Sequence, residues 1–234
     1  MDPVRHDAIV LAGGGSTRFG RDKLAAVVDG VPLLDRVLGA AARRLGATVV
    51  GGMFERSDGG RPFNTLVVVG PDATVLDTYR KIHLYDSFGY AESERLSAGE
   101  PIPVVVEIAG TATGLMTCYD LRFPEMARKL IDSGAELLLV PSAWVAGPLK
   151  EDHWQVLLRA RAIENTVHVA AAAQTGRTYV GLSAVIDPLG IVLASAGDEE
   201  GLVEATIDRE RMRRARERNP SLANRRLNVP VSPA

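Results

Sequence analysis

Short apolar runs alternate along this chain with stretches in which apolar residues recur at every third or fourth position. AIVLAG (Ala8–Gly13) is a run of the first kind, ends in glycines, and predicts a buried strand. In PLLDRVLGAAARRLG, Leu33, Leu34, Val37, Leu38, Ala41 and Leu45 keep helical spacing, with Pro32 at the start and Gly46 as the stop. ATVVGGMFE and NTLVVVG read as strands around the polar turn RSDGGRP. VVVEIAG and TATGLMTC read as neighbouring strands joined at Gly110, and FPEMARKLIDSG as a helix opened by Pro124 and closed by Gly134. AELLLVPSAW has the continuous apolar character of a strand buried on both faces. A second long helix, EDHWQVLLRARAIENT, precedes four further expected strands, VHVAAAAQ, GLSAVID, IVLASAG and LVEATID. The alternation predicts a layered α/β sandwich with no evident linker and a candidate seam near residues 36–46.

Composition narrows the class without naming a chemistry. The 234 residues are 46% hydrophobic and 24% charged, as in a soluble globular protein that buries a full core. A net charge of −2 gives no global field for nucleic acid or an anionic membrane, so neither is an expected partner. The basic stretch DRERMRRARERNPSLANRR interleaves acids with its arginines and suits a solvated helix face or a subunit contact. Apolar runs such as ELLLVPSAWVAG are too short, and too broken by Pro and Gly, to span a bilayer. The single cysteine, Cys118, excludes an intrachain disulfide and, with no secretory pattern at the start, predicts a cytoplasmic setting.

That cysteine stands where a strand ends and a Pro-containing helix is due, in GLMTCYDLRFPEMARKL. A thiol at such a junction can feel the positive end of a helix, which favours thiolate. Backbone N–H groups of the turn can also face an oxyanion on an attacked carbonyl. No His, Cys or Asp cluster has metal-ligand spacing.

CYDLRFPE and the upstream YRKIHLYD together resemble the two signature segments of the nitrilase, or carbon–nitrogen hydrolase, superfamily. GMFERSDGGRPFNTLVVVG, ESERLSAGE, GAELLLVPSAW, HWQVLLRARAIEN and GLSAVIDPLG agree in the same order, over roughly residues 41–226. The resemblance implies an αββα sandwich that pairs into a four-layer homodimer, and cleavage of a small amide substrate with no metal or organic cofactor. It implies Cys118 as nucleophile, Lys81 as ammonium beside the oxyanion, the Tyr119 N–H as second donor, and Glu92 as an auxiliary glutamate positioning substrate and lysine. Trp144 is a candidate for the acyl pocket. Asp120, Arg122 and Glu125 are expected to form a charge network around the nucleophile turn, and His153 to serve helix packing or a dimer contact.

The family's general-base glutamate, which closes an apolar strand upstream of ATVVGGMFE, has no counterpart in that register. Glu55 sits in the next strand and turn, so register argues against it as a substitute. Residues 7–40, AIVLAGGGSTRFGRDKLAAVVDGVPLLDRVL among them, instead resemble the opening of molybdenum-cofactor guanylyltransferase-like nucleotidyltransferases, with Arg18 and Lys23 as phosphate-neutralising cations. The later metal-binding aspartate of those enzymes is missing, and Asp72 reads as a turn residue. The expected organisation is therefore a non-independent N-terminal segment, 1–40, with an atypical first strand–helix unit, on an N-terminally incomplete hydrolase domain, 41–234. The expected function is an amidase for a small carboxylate-bearing amide, weakened by the missing base. A catalytically inactive binding or assembly protein and a nucleotide-binding protein are the alternatives.

Overall fold

The computed structural model describes residues 8–11, 27–28 and 31–227, with side chains from residue 36 onward. β1 (Ala8–Leu11), the short pair β2 (Val27–Val28) and β3 (Val31–Pro32), and α1 (Leu33–Leu45) come first. β4 (Thr48–Glu55), β5 (Phe63–Val69) and β6 (Val75–Arg80) complete a four-stranded sheet in the order β1-β4-β5-β6. β1 runs parallel to β4, from Ala8 opposite Thr48 to Leu11 opposite Gly51, while β5 and β6 are antiparallel additions. A small hairpin, β7 (Asp86–Ser87) with β8 (Tyr90–Ala91), leads towards β9 (Val105–Ile108) and β10 (Thr111–Leu115). α2 (Pro124–Asp132), β11 (Leu137–Ser142), α3 (Lys150–Asn165) and β12 (His168–Ala173) follow, then β13 (Ala184–Ile186), β14 (Val192–Ser195) and α4 (Arg209–Arg218). The second sheet has the order β14-β13-β12-β11-β10-β9, with β10, β11 and β12 parallel.

Side-chain alternation assembles these elements into layers. Val50 of β4, Leu66 and Val68 of β5 and Tyr79 of β6 enter the large core shared with the second sheet. Their neighbours Val49, Val67 and Val69 point the other way, onto Leu38 and Ala42 of α1. On the far side, Met126, Ala127 and Leu130 of α2 and Trp154, Leu158 and Ala162 of α3 close the same large core. The order is therefore α1, sheet, sheet, α2 with α3. β11 is buried at all six positions because it has a helix layer on one face and a sheet on the other. α1 runs unbroken through residues 40 and 41.

Most expected elements are present, and three details differ. No strand forms over residues 202–207 among the described residues, and Leu202 is exposed. β6 was not anticipated, because VLDTYR buries only Tyr79 fully and carries no strong apolar pattern. On α1, Leu38 and Ala42 are buried, but Val37 and Leu45 are about half exposed, since the helix lays only a narrow stripe on the sheet.

Gly114 fixes how closely α2 approaches β10. A Cβ there would meet Leu138 Cδ2 at 3.0 Å, Leu130 Cβ at 3.1 Å and Ala135 Cβ at 3.2 Å. Gly114→Val should therefore overpack this layer and lower stability by about 1–3 kcal/mol, read as a shift in the urea midpoint at unchanged slope. A midpoint equal to that of the unchanged protein would show that α2 can move away freely.

Candidate active site

β10 ends at Leu115, and the chain turns through Met116 and Thr117 into a short 3-10 helix, Cys118–Arg122. Cys118 opens that turn with φ +49°, a left-handed conformation that costs a non-glycine residue of order 1–3 kcal/mol and persists only when its surroundings over-determine it. Those surroundings are visible. The Thr117 hydroxyl donates to the Pro141 carbonyl (3.0 Å), tying the turn to β11. Arg161, buried on α3, donates twice to the Leu121 carbonyl, at 3.0 and 2.8 Å.

Asp120, fully buried, anchors the turn from within. Its carboxylate accepts from the Thr117 N–H (2.9 Å), the Tyr79 hydroxyl (2.7 Å), the His83 N–H (3.2 Å) and His83 Nδ1 (2.8 Å). Burial, and then the adjacent Asp120 carboxylate, push the Tyr79 hydroxyl far above its ordinary pKa, so it stays a donor. Tyr79 and His83 flank Lys81 in the chain, and Thr117 and Asp120 flank Cys118. One carboxylate thus holds both segments together.

Lys81 is 2% exposed, and its ammonium donates to Glu92 Oε2 at 2.5 Å. The same oxygen accepts the Tyr85 N–H (2.6 Å), and Asn64 Nδ2 reaches Glu92 Oε1 at 3.4 Å. Glu92 opens a one-turn 3-10 helix, Glu92–Glu94, which fixes its position beyond β8. Cys118, Lys81, Glu92, Tyr119 and Trp144 all line one cavity of about 900 Å³, within the range that takes small molecules. Cys118 is half-buried, with its sulfur 3.9 Å from the Ala143 carbonyl oxygen. The cavity therefore presents a thiol, a buried ammonium and a carboxylate, enough for nucleophilic attack with charge stabilisation.

Two sequence expectations change here. The helix next to Cys118 is the five-residue 3-10 turn; α2 starts only at Pro124, so its positive end is not at the thiol. Arg122 and Glu125 do not join Asp120. Arg122 instead lies over the Trp144 ring (4.9 Å to its centroid) and 3.3 Å from His153 Nδ1, while Glu125 is exposed on the first turn of α2. Apart from the Thr117 N–H, Asp120 takes its partners from β6 and the following loop.

Glu55 is committed elsewhere. Arg80 reaches its two oxygens at 2.5 and 2.9 Å and Thr65 donates at 2.8 Å; the Arg80 hydrogen bonds hold its carboxyl below the ordinary glutamate pKa. It does not line the cavity, where Glu92 is the only carboxylate among the described lining residues. Tyr119 packs edge-on against Tyr85 (5.0 Å between centroids) and Phe123 (5.3 Å). Trp144 is buried against Trp154, and its indole N–H donates to the Lys150 carbonyl (3.0 Å). Sequence reasoning missed Lys150 itself, a buried lysine at the first position of α3 that also lines the cavity. Its position in GPLKEDHW, at a loop–helix join, resembles a solvated lysine.

The glycine-rich stretch at residues 12–23, with Arg18 and Lys23, lies outside the described residues. Among the described residues, no group of three or more His, Cys, Asp or Glu could hold a metal ion, and no helix is long and apolar enough to cross a membrane.

A family model described as carbon-nitrogen hydrolase matches residues 32–217. The deaminated glutathione amidase of Escherichia coli O157:H7 is 45% identical over 171 residues, 73% of this chain and 65% of that protein. Omega-amidase NIT2 of Danio rerio is 39% identical over 206 residues, 83% of this chain and 73% of its own. Among solved structures, a glutamate-to-glutamine mutant of the amidase from Nesterenkonia sp. AN1 carries the acetamide moiety of fluoroacetamide covalently added at its active site cysteine. It aligns with a TM-score of 0.68 and 30% identity over 81% of this chain and 71% of that one.

Because four donors converge on Asp120, Asp120→Asn should lose about 1–3 kcal/mol, since an amide nitrogen cannot accept from the donors left facing it. Tyr79→Phe, which leaves Asp120 its other three donors, should cost less. Urea unfolding of both variants checks the ranking, and an Asp120→Asn protein as stable as the unchanged chain would remove Asp120 from this role.

Proposed function

The chain belongs to the carbon–nitrogen hydrolase family, and from that premise we propose that it is an amidase for small carboxylate-bearing amides with Cys118 as nucleophile. The enzyme is a hydrolase of carbon–nitrogen bonds. In the proposed reaction the Cys118 sulfur attacks the amide carbon, and the carbonyl oxygen takes up negative charge beside the Lys81 ammonium and the Tyr119 N–H. Collapse of that adduct breaks the carbon–nitrogen bond; the proton given up by the thiol passes to the leaving nitrogen, so ammonia departs and a thioester remains. Water then attacks the thioester carbon, freeing the carboxylic acid and the thiol.

The observation that carries this reading is the left-handed Cys118 in the same cavity as the Lys81–Glu92 pair. Supporting it are the amidase names of relatives and the cysteine adduct of the Nesterenkonia amidase. Glu92 holds Lys81 in place, its Oε2 accepting from both the Lys81 ammonium and the Tyr85 N–H. In this reading turnover is slow, because the strand register expected to supply a general-base glutamate holds none, and losing such a base costs about 10²–10⁴-fold.

We further read residues 1–40 as part of the hydrolase unit rather than as a domain of their own, supported by the pairing of β1 with β4. The protein acts as a cytoplasmic homodimer in this reading. Its single free cysteine supports a reducing compartment. Exposed Val156, Ile163, Leu189 and Ile191, on α3 and the neighbouring turn that Arg159 contacts at Gly190, support a subunit contact.

Incubation with glutaramate should release ammonia, and fluoroacetamide should leave an adduct on the Cys118 peptide by mass spectrometry. Lys81→Met should lower kcat/KM by about 10²-fold or more, as expected for loss of an oxyanion partner. No ammonia above the Cys118→Ala control and no Cys118 adduct would sink the amidase reading.

A further inference from the structure

We propose that Lys150 recognises the substrate's carboxylate, and so selects amides bearing a negative charge at the end remote from the scissile bond. The inference rests on the amidase reading above and assigns its specificity to a residue outside the Cys118–Lys81–Glu92 group.

Lys150 is 5% exposed, yet no carboxylate among the described residues pairs with it. Its ammonium donates to the Tyr85 hydroxyl at 3.1 Å and lies 4.3 Å from the Phe88 ring centroid, 5.0 Å from that of Tyr85 and 5.5 Å from that of Trp144. An aromatic box of this kind tolerates a desolvated cation but does not neutralise it. Lys81, the other buried lysine of the cavity, has Glu92 at 2.5 Å. Arg95 also lines the cavity and faces only the Tyr90 ring, at 5.7 Å. Among the described lining residues, then, Lys81, Arg95 and Lys150 stand against Glu92 alone, an excess of two positive charges in a cavity of small-molecule size.

The placement of Lys150 is costly and fixed. It is the first residue of α3, at the positive end of a 16-residue helix, where a cation is disfavoured. The loop before it holds Leu149 in a left-handed conformation (φ +59°) and Gly147 at φ +158°. Both Lys150 backbone groups are used in that loop, the N–H on the Gly147 carbonyl (3.0 Å) and the carbonyl on Trp144 Nε1 (3.0 Å). A backbone constrained on both sides drives the ammonium into the cavity, where two of its three protons have no protein acceptor among the described residues. A carboxylate supplies that acceptor with a charge of the right sign, and the α3 N-terminus favours the same anion.

The test compares glutaramate with valeramide, which has the same carbon chain without the carboxylate, on the unchanged enzyme, Lys150→Met and Lys150→Arg. Lys150→Met keeps most of the apolar stem and should lower the glutaramate-to-valeramide ratio of kcat/KM by about 10–100-fold, mainly through KM, as expected for a lost charge-assisted hydrogen bond. Lys150→Arg should retain part of the ratio. An unchanged ratio, or equal losses on both amides, overturns the proposal. Glutarate titrated into Cys118→Ala by calorimetry gives a readout independent of turnover: binding should disappear when Lys150→Met is added. If neither amide is cleaved, the amidase reading fails, and the titration still decides Lys150. Glutarate binding that survives Lys150→Met, or is absent with Lys150 in place, rejects it.

Discussion

A carboxylate removed from water must be answered by donors, and Asp120 is answered from three separate segments of the chain. Tyr79 reaches it from β6, His83 from the loop after β6, and the Thr117 N–H from the end of β10. The first two belong to one sheet and its continuation, the third to the other. The contact therefore does more than stabilise a turn: it sets the position of one sheet's functional edge against the other's. Lys81 and Cys118 inherit that position because each lies between residues the carboxylate holds. A shift of the β6 segment would break hydrogen bonds to a buried anion before it moved the thiol or the ammonium, so the geometry is stiff around both.

Alternation at the end of β6 divides the remaining charges. Tyr79 and Lys81 turn inward, and Arg80 turns outward to Glu55. This parity explains why Glu55, whose partner Arg80 precedes Lys81 in the chain, plays no part at the cavity: that partner faces the other side of the sheet. It also leaves Lys81 dependent on Glu92, which arrives from a different loop and is shared with the Tyr85 N–H. Tyr85 is then the joint between two electrostatic environments. Its backbone belongs to the neutralised pair Lys81–Glu92, while its side chain caps the uncompensated Lys150.

What could be read in the sequence follows from how local each signal is. β4, β5, β10 and β11 announce themselves because burial on one or two faces writes a period into the chain, and α2 carries its own Pro and Gly punctuation. Cys118, Lys81 and Glu92 were legible only through the segments around them, and all three line one cavity. The charge network fared worse: Arg122 and Glu125 are near Asp120 in sequence, but three of the four donors that satisfy it lie 37 and 41 residues away. Lys150 left no pattern, since a lysine entering a helix looks solvated until the loop geometry turns it inward. Residues 202–207 erred in the opposite direction, with a strand-like composition but no strand assigned among the described residues.

The N-terminal strand separates the demands of a fold from those of a site. β1 pairs with β4 through backbone groups and adds a parallel edge to the sheet, a place that asks little of a strand beyond apolar side chains. AIVL meets that requirement whatever family it resembles. A general base asks for far more, namely one carboxylate at one position within hydrogen-bond reach of the thiol. A segment can therefore satisfy the sheet completely while contributing nothing to proton transfer. The Asp120 anchor is built from residues 79 to 120, so the thiol and ammonium stay positioned even where the strand at the sheet edge is atypical. The demands of the sheet edge and those of a general base are thus separate, and meeting the first does not secure the second.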